Sequence, residues 1–221
     1  MKLYIDSADC TQWAAAAGSP RVAGVTTNPS LVRHAGLPVV LSTYLVLIQT
    51  ASKHGLPELM LQMPSPDAQE VDAYLSELLP TAERAQVALT IKLPCMPEWQ
   101  EAIEVTQSHA APVLLTGLSN AVQLMWAVDM RANWVAPYVG RLEDAGRDVW
   151  SLVQACVEAQ AQGTHLLAAS IKTPDVLARL FAAGASAVTV RPDLLNAWVQ
   201  DDMTQAAVAQ FAADIQASRS L

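Results

Sequence analysis

Four lysines occur in the 221 residues, and one of them, Lys92, sits near the end of a strictly alternating run, Val87-Ala88-Leu89-Thr90-Ile91-Lys92-Leu93. In a strand with that period Val87, Leu89, Ile91 and Leu93 share one face, and Ala88, Thr90 and Lys92 share the other. Burial among apolar neighbours disfavours an ammonium, so the pKa falls and a neutral amine becomes available to attack a carbonyl. That is the chemistry of a Schiff-base lysine. The competing reading is a side chain that snorkels off a strand end into water. Lys172 is the main rival for the role, although it lies past the end of its own apolar run.

Other polar residues close apolar runs in the same way. Asp6 ends Leu3-Tyr4-Ile5-Asp6, opposite Leu3 and Ile5. Thr26 and Asn28 share a face in Gly24-Val25-Thr26-Thr27-Asn28-Pro29-Ser30, and Gln62 and Thr116 end two further runs. Ala136 and Tyr138 lie on one side of Trp134-Val135-Ala136-Pro137-Tyr138-Val139-Gly140, with Arg141 just beyond, and Ser170 follows Ala169. Each has an ordinary reading beside the chemical one. Asp6 can start a helix, Thr-Asn-Pro-Ser is turn chemistry, and Gln62 and Thr116 can satisfy backbone groups. Tyr138 can hold its hydroxyl in solvent, and Arg141 can pair within Arg141-Leu142-Glu143-Asp144 on the surface. Their joint arrival at successive run ends favours a shared site.

The elements that would position these residues alternate along the chain. Short apolar runs at Leu3–Asp6, Ala23–Thr26, Glu58–Met63, Val87–Leu93, Pro112–Thr116, Asn133–Tyr138, His165–Ala169 and Ala187–Val190 are separated by helix-like segments. Those segments include Asp9–Ala17, Val39–His54, Asp67–Ala85, Pro97–Ser108, Asn120–Met130, Asp144–Gln162 and Pro174–Ala182. Eight strands with helices between them predict an α/β fold, a (β/α)8 TIM barrel, as one domain over 1–221. An open doubly wound sheet is the alternative, but its glycine-rich phosphate loop is absent after the first run. An Ala-rich helix over about Thr204–Ser218 lies outside the eight-fold count.

Composition narrows the partners. With 52% apolar residues and 15% charged, the chain can fill a large core. A net charge of −8 and no basic cluster argue against nucleic acid or an anionic membrane surface, so an anionic small substrate needs a locally placed Arg. Cys10, Cys95 and Cys156 are widely spaced and no His stands at metal-ligand spacing, which reads as reduced cytosolic thiols and no metal site. No apolar run is long enough to span a bilayer and no signal peptide opens the chain, so a cytoplasmic protein is expected.

Over nearly its whole length the chain resembles the small transaldolase and fructose-6-phosphate aldolase family of class I aldolases. The specific segments are Leu3-Tyr4-Ile5-Asp6, Gly24 to Ser30, Ile91-Lys92-Leu93-Pro94, Ala136 to Arg141, and Leu167-Ala168-Ala169-Ser170-Ile171-Lys172-Thr173-Pro174. The resemblance implies a (β/α)8 barrel, no cofactor, and sugar phosphates as substrates. It makes Lys92 the imine former and Asp6 a carboxylate that holds substrate hydroxyls and assists proton movement. Gln62, Thr116 and Tyr138 would position a catalytic water, with Tyr138 as general acid and base. Asn28 would hold the donor hydroxyl beside Thr26, Ala136 would line the donor pocket, and Arg141 and Ser170 would hold the substrate phosphate. Glu and Phe at the positions of Gln62 and Tyr138 resemble transaldolases, whereas Gln with Tyr looks like fructose-6-phosphate aldolase. The expected reaction is therefore reversible cleavage of fructose 6-phosphate to dihydroxyacetone and glyceraldehyde 3-phosphate. Transfer of the dihydroxyacetone unit to a second aldehyde is the alternative. A deoxyribose-phosphate-type aldolase using a later lysine and a non-catalytic sugar-phosphate barrel stay open. The family also implies ring-shaped homo-oligomers, often decamers in the aldolase branch, with the C-terminal helix reaching a neighbour. Ser119 and the loop Val32-Arg33-His34-Ala35-Gly36 depart from the family pattern, and both are expected near the pocket rim.

Overall fold

The computed structural model describes residues 1–14 and 22–219. Eight parallel strands close into a barrel in chain order: β1 (Lys2–Asp6), β2 (Val22–Thr26), β3 (Glu58–Gln62), β4 (Ala88–Pro94), β5 (Val113–Leu118), β6 (Trp134–Pro137), β7 (His165–Ala168) and β8 (Ala187–Val190). Around it run α1 (Pro29–His34), α2 (Leu41–Lys53), α3 (Ala68–Ala85), α4 (Gln100–Ser108), α5 (Ala121–Asp129), α6 (Val139–Asp144), α7 (Val149–Ala159), α8 (Pro174–Ala183) and α9 (Pro192–Val199). A further helix, α10 (Asp202–Ser218), follows the eight-fold repeat.

Alternation sorts the strand side chains into two cores. Residues pointing outward, among them Ile5, Val25, Leu59, Leu61, Ile91, Leu93, Val113, Leu115 and Val188, are buried against the helix layer. Those pointing inward, Tyr4, Met60, Leu114, Ala136, Leu167 and Ala187, pack with one another and fill the barrel. The barrel interior is thus a packed plug, and polar groups collect at its two ends. At the N-terminal end Lys2 and the Tyr4 hydroxyl each donate to a different oxygen of Glu58 at 2.5 Å. Burial, and then the Glu58 carboxylate, push the Tyr4 phenol well above its ordinary pKa, so it stays a proton donor. Close approach of β2 to β3 needs Gly24, where a Cβ would fall 2.1 Å from the Glu58 carbonyl oxygen.

Several helices start where capping residues direct them. Asp67, Asn120, Asp148, Thr173 and Asp201 each accept from a backbone N–H in the first turn of the helix that follows. Some boundaries differ from the sequence reading. The helix expected over Asp144–Gln162 begins at Val149, because Gly146 is in the left-handed region at φ 65° and Asp148 supplies the cap. The helix expected from Val39 begins at Leu41, after an extended Val40. Of the helix expected over Asp9–Ala17, a 3-10 turn spans Cys10–Gln12 and the part from residue 15 onward lies outside the described residues. The short helices α1 and α6 are additions to the expected set. The first carries a legible signal, an Asn N-cap followed by Pro at its first position, whereas α6 starts at Val139 with no side-chain cap.

Candidate active site

Lys92 lies on β4 between Gln62 of β3 and Leu114 of β5 in register, pointing into the barrel near its C-terminal end. Only 5% of the residue is exposed. Its Nζ donates to the carbonyl oxygen of Thr27 at 2.6 Å. Burial lowers the pKa of this amine, and the negative charge of Asp6 opposes the shift without cancelling it. The snorkelling alternative does not hold, because the ammonium end is enclosed. Lys172, the rival, is about half exposed and forms a surface ion pair with Asp144. The surface pairing expected for Arg141 therefore falls to Lys172 instead, and Arg141 stacks over Tyr138, its guanidinium carbon 4.6 Å from the ring centroid.

Two hydroxyl arrays approach the lysine from the strands around it. On one side the Thr26 hydroxyl donates to Asp6 Oδ1 at 2.8 Å and lies 2.6 Å from the Thr189 hydroxyl. Thr26 has one proton and gives it to Asp6, so Thr189 is the donor to Thr26. This relay fixes one carboxylate oxygen of Asp6 and leaves the other for a ligand. On the other side the hydroxyls of Thr116 and Tyr138 lie 2.8 Å apart. A bulge near the end of β5 accompanies this pair: the register slips between Thr116 and Leu118, and Gly117 adopts φ 79°. Gln62 is half-buried beside Lys92 in register, and its backbone carbonyl oxygen accepts from the Tyr44 hydroxyl at 2.5 Å.

Above these groups opens a pocket of about 480 Å3, lined in part by Asp6, Asn28, Tyr138, Arg141 and Ser170. A backbone clasp between the ends of β6 and β7 gathers the last three. Val139 and Gly140 donate to the carbonyls of Ala169 and Ser170 at 2.9 and 3.0 Å. The approach is so close that a Cβ on Gly140 would fall 2.4 Å from the Ser170 oxygen, and Ser170 itself is held at φ 61°. Asn28 Oδ1 caps α1 by accepting from Leu31 N at 3.0 Å, which leaves its Nδ2 to donate elsewhere. Ala136 lies inside the barrel, 2% exposed, in register with Thr116.

The sequence-derived residues thus converge on one end of the barrel, with Lys92, Thr26 and Thr116 buried beneath the pocket that Asp6 and Tyr138 border. Ser119 is the exception to the rim expectation. Its N–H and hydroxyl bond Gln123 Oε1 in the turn that opens α5, and it borders a separate cavity with Arg147. Sequence reasoning missed Thr27, whose carbonyl receives the Lys92 amine and whose own hydroxyl is buried without a partner. It also missed Thr189 and Arg191, although Thr189-Val190-Arg191 carries the same alternation used for the other strands, and Ser30, whereas His34, in the 32–36 segment expected near the rim, does line the pocket from α1.

A deeply set amine under the charge of Asp6 thus lies at the C-terminal end of a barrel strand, the end at which enzymes of this fold carry their catalytic groups. The chain belongs to the transaldolase/fructose-6-phosphate aldolase family, whose pattern it matches over residues 3–220. It is similar to a protein of Oceanobacillus iheyensis described as a probable transaldolase, with 29% identity over 97% of this chain and 98% of that one. A probable transaldolase of Sorangium cellulosum shares 30% identity over 97% of this chain and 96% of its own. Among solved structures, a single-substitution variant of mandelate oxidase with 2-hydroxy-phenylacetamide aligns with a TM-score of 0.54 and 19% identity. That alignment covers 84% of this chain and 59% of the oxidase, and it speaks to the barrel fold alone.

Proposed function

We propose that residues 1–221 act as one catalytic domain, a class I aldolase that cleaves fructose 6-phosphate to dihydroxyacetone and glyceraldehyde 3-phosphate. The observation that carries this reading is the enclosed, neutral-leaning Lys92 amine beside Asp6, with the Thr116–Tyr138 hydroxyl pair within the same barrel mouth. The amine adds to the C2 carbonyl of the ketose, and loss of water gives an iminium. Asp6 takes the C4 hydroxyl proton, the C3–C4 bond breaks, and its electron pair passes into the iminium to leave an enamine. Glyceraldehyde 3-phosphate departs. Tyr138 protonates the enamine carbon, and a water positioned by Gln62, Thr116 and Tyr138 hydrolyses the imine to release dihydroxyacetone and restore the amine, while the proton taken by Asp6 is lost to solvent and Tyr138 regains one from it. Asn28 and Thr26 orient the donor end and Asp6, Ala136 leaves space for it, and Arg141 with Ser170 holds the phosphate.

A second reading has the relatives' names in its favour: an enzyme that keeps the dihydroxyacetone unit on Lys92 and passes it to a second aldehyde. Incubation with fructose 6-phosphate alone separates the two. The aldolase reading expects dihydroxyacetone to accumulate over many turnovers without an acceptor. Release of glyceraldehyde 3-phosphate that stops at about one equivalent per active site with no free dihydroxyacetone, and resumes when a different acceptor aldehyde is added, would support transfer instead.

We also propose that the chain works as a homo-oligomer. None of α10 is buried, and Met203, Val208, Phe211 and Ile215 stand exposed along it. Their spacing of three to five residues makes an apolar stripe suited to a neighbouring copy. Light scattering is expected to give a mass several times 23.6 kDa, ten-fold if the family's decamer applies. A monomer at micromolar concentration would contradict this.

A further inference from the structure

Past the ends of β4 and β5 the backbone ladder between the lysine strand and the Thr116 strand stops. Pro94, in register with Thr116, has no N–H to give, and the last rung runs from Cys95 N to the Thr116 carbonyl at 2.9 Å. Beyond it the chain turns through Gly117 at φ 79°. The side-chain amide of Gln123, in the first turn of α5, takes the place of the next rung. Its Nε2 donates to the Cys95 carbonyl at 2.9 Å, and its Oε1 accepts from Ser119 N at 2.8 Å. The amide thus stands where a peptide unit would, joining the residue three beyond Lys92 to the residue three beyond Thr116. Ser119 Oγ and Asn120 Nδ2 donate to the same oxygen at 3.1 and 3.2 Å, Gln123 N donates to Asn120 Oδ1 at 3.0 Å, and the Cys95 thiol lies 3.6 Å from the Gln123 carbonyl oxygen. Because the Ser119 N–H can only donate and the Cys95 carbonyl can only accept, one orientation of the amide satisfies both.

We infer that Gln123 is a positioning residue for the steps that follow C3–C4 cleavage: its amide fixes the exit of β5 against β4 and so holds the Thr116–Tyr138 hydroxyl pair in reach of the enamine on Lys92. This role rests on the aldolase reading above. The connection is short. Gly117, between Thr116 and the bonded Ser119, lies beside the Tyr138 ring, where a Cβ on residue 117 would fall 3.8 Å from Cε2. Thr116 stands one residue before it, with its carbonyl tied to Cys95 and its hydroxyl 2.8 Å from the phenol. Without the amide the Cys95 carbonyl loses that donor, Ser119 N loses its acceptor, and the glycine between them has no side chain to hold its place. Lys92 is held separately, by the Thr27 carbonyl and the enclosing barrel, so imine formation is untouched. A plainer role for Gln123 is that of third residue in a capping box with Asn120 at the start of α5. Glutamate separates the two. It keeps an acceptor oxygen for Ser119 and Asn120 and suits a helix N-terminus, but its carboxylate cannot donate to the Cys95 carbonyl.

The test measures dihydroxyacetone release from fructose 6-phosphate, borohydride trapping of dihydroxyacetone, and thermal melting, for the full-length wild type, Gln123→Glu and Gln123→Leu. Gln123→Glu is expected to melt close to the wild type and to trap dihydroxyacetone as fully, while kcat falls about tenfold or more with KM little changed. Gln123→Leu, which loses the cap as well, is expected to show the same split between trapping and turnover at a lower melting temperature. A Gln123→Glu protein with the wild-type kcat would leave Gln123 only its place in the cap and overturn the inference, as would trapping and turnover that fall together. A wild type that traps dihydroxyacetone without releasing it, or traps none, would remove the aldolase reading and this inference with it.

Discussion

Lys92→Met is expected to lower cleavage by roughly 10⁴ to 10⁶-fold, the order of loss seen when a covalent nucleophile is removed, while leaving the protein at least as stable as the wild type. The two effects have one cause. The barrel encloses an ammonium-bearing side chain that donates to the Thr27 carbonyl, and burial disfavours its charged form. Methionine has similar length and no charge to desolvate, so it fills the site without that cost. The pH dependence follows. Because the folded-state pKa lies below the unfolded value of 10.5, the unfolded chain binds the extra proton between the two values. The destabilisation is therefore fully present below the folded pKa and fades as pH rises toward 10.5. Thermal melts of the two proteins should converge as pH increases. A variant that melts well below the wild type at all pH values would show that Lys92 holds the barrel together and would weaken its assignment as a reacting group.

The second large effect is expected at Tyr138→Phe, which should reduce kcat by about 10²-fold or more with little change in KM, the range for loss of a general acid or base. The substitution removes one oxygen. It leaves the ring under the Arg141 guanidinium and so preserves the wall of the phosphate pocket. What disappears is the hydroxyl 2.8 Å from Thr116, and with it the proton supply to the enamine carbon. Because imine formation precedes that step, Tyr138→Phe should still accumulate a borohydride-trappable adduct. A variant that loses trapping as well as turnover would move Tyr138 from proton transfer to imine assembly.

Much of this geometry is legible in the sequence because a barrel strand has a period of two. Strict alternation around Lys92 sets its inward face, and the same rule applied to Asp6, Gln62, Thr116 and Ala136 brings those side chains to one end of the barrel. What is not legible depends on backbone. The carbonyl of Thr27 that receives the amine has no side-chain signature, and the left-handed Ser170 clasped to Gly140 is a contact between chain segments about thirty residues apart. Ser119 shows the reverse error. Its departure from the family pattern suggests the pocket, but its hydrogen bonds turn it to Gln123 and the outer helix layer. Ser30 and Arg191 escape for a simpler reason. The short helix α1 reads as a turn, and the polar residue that closes β8 lies one step beyond its apolar run.

The central claim is that the Lys92 amine forms an imine with dihydroxyacetone, and intact-mass measurement after borohydride reduction tests it most directly. Wild type should gain the mass of one dihydroxyacetone less one oxygen per chain, with peptide mapping assigning the addition to Lys92, and Lys92→Met should gain nothing. An adduct that persists in Lys92→Met, or no adduct in a folded wild type, would contradict the account.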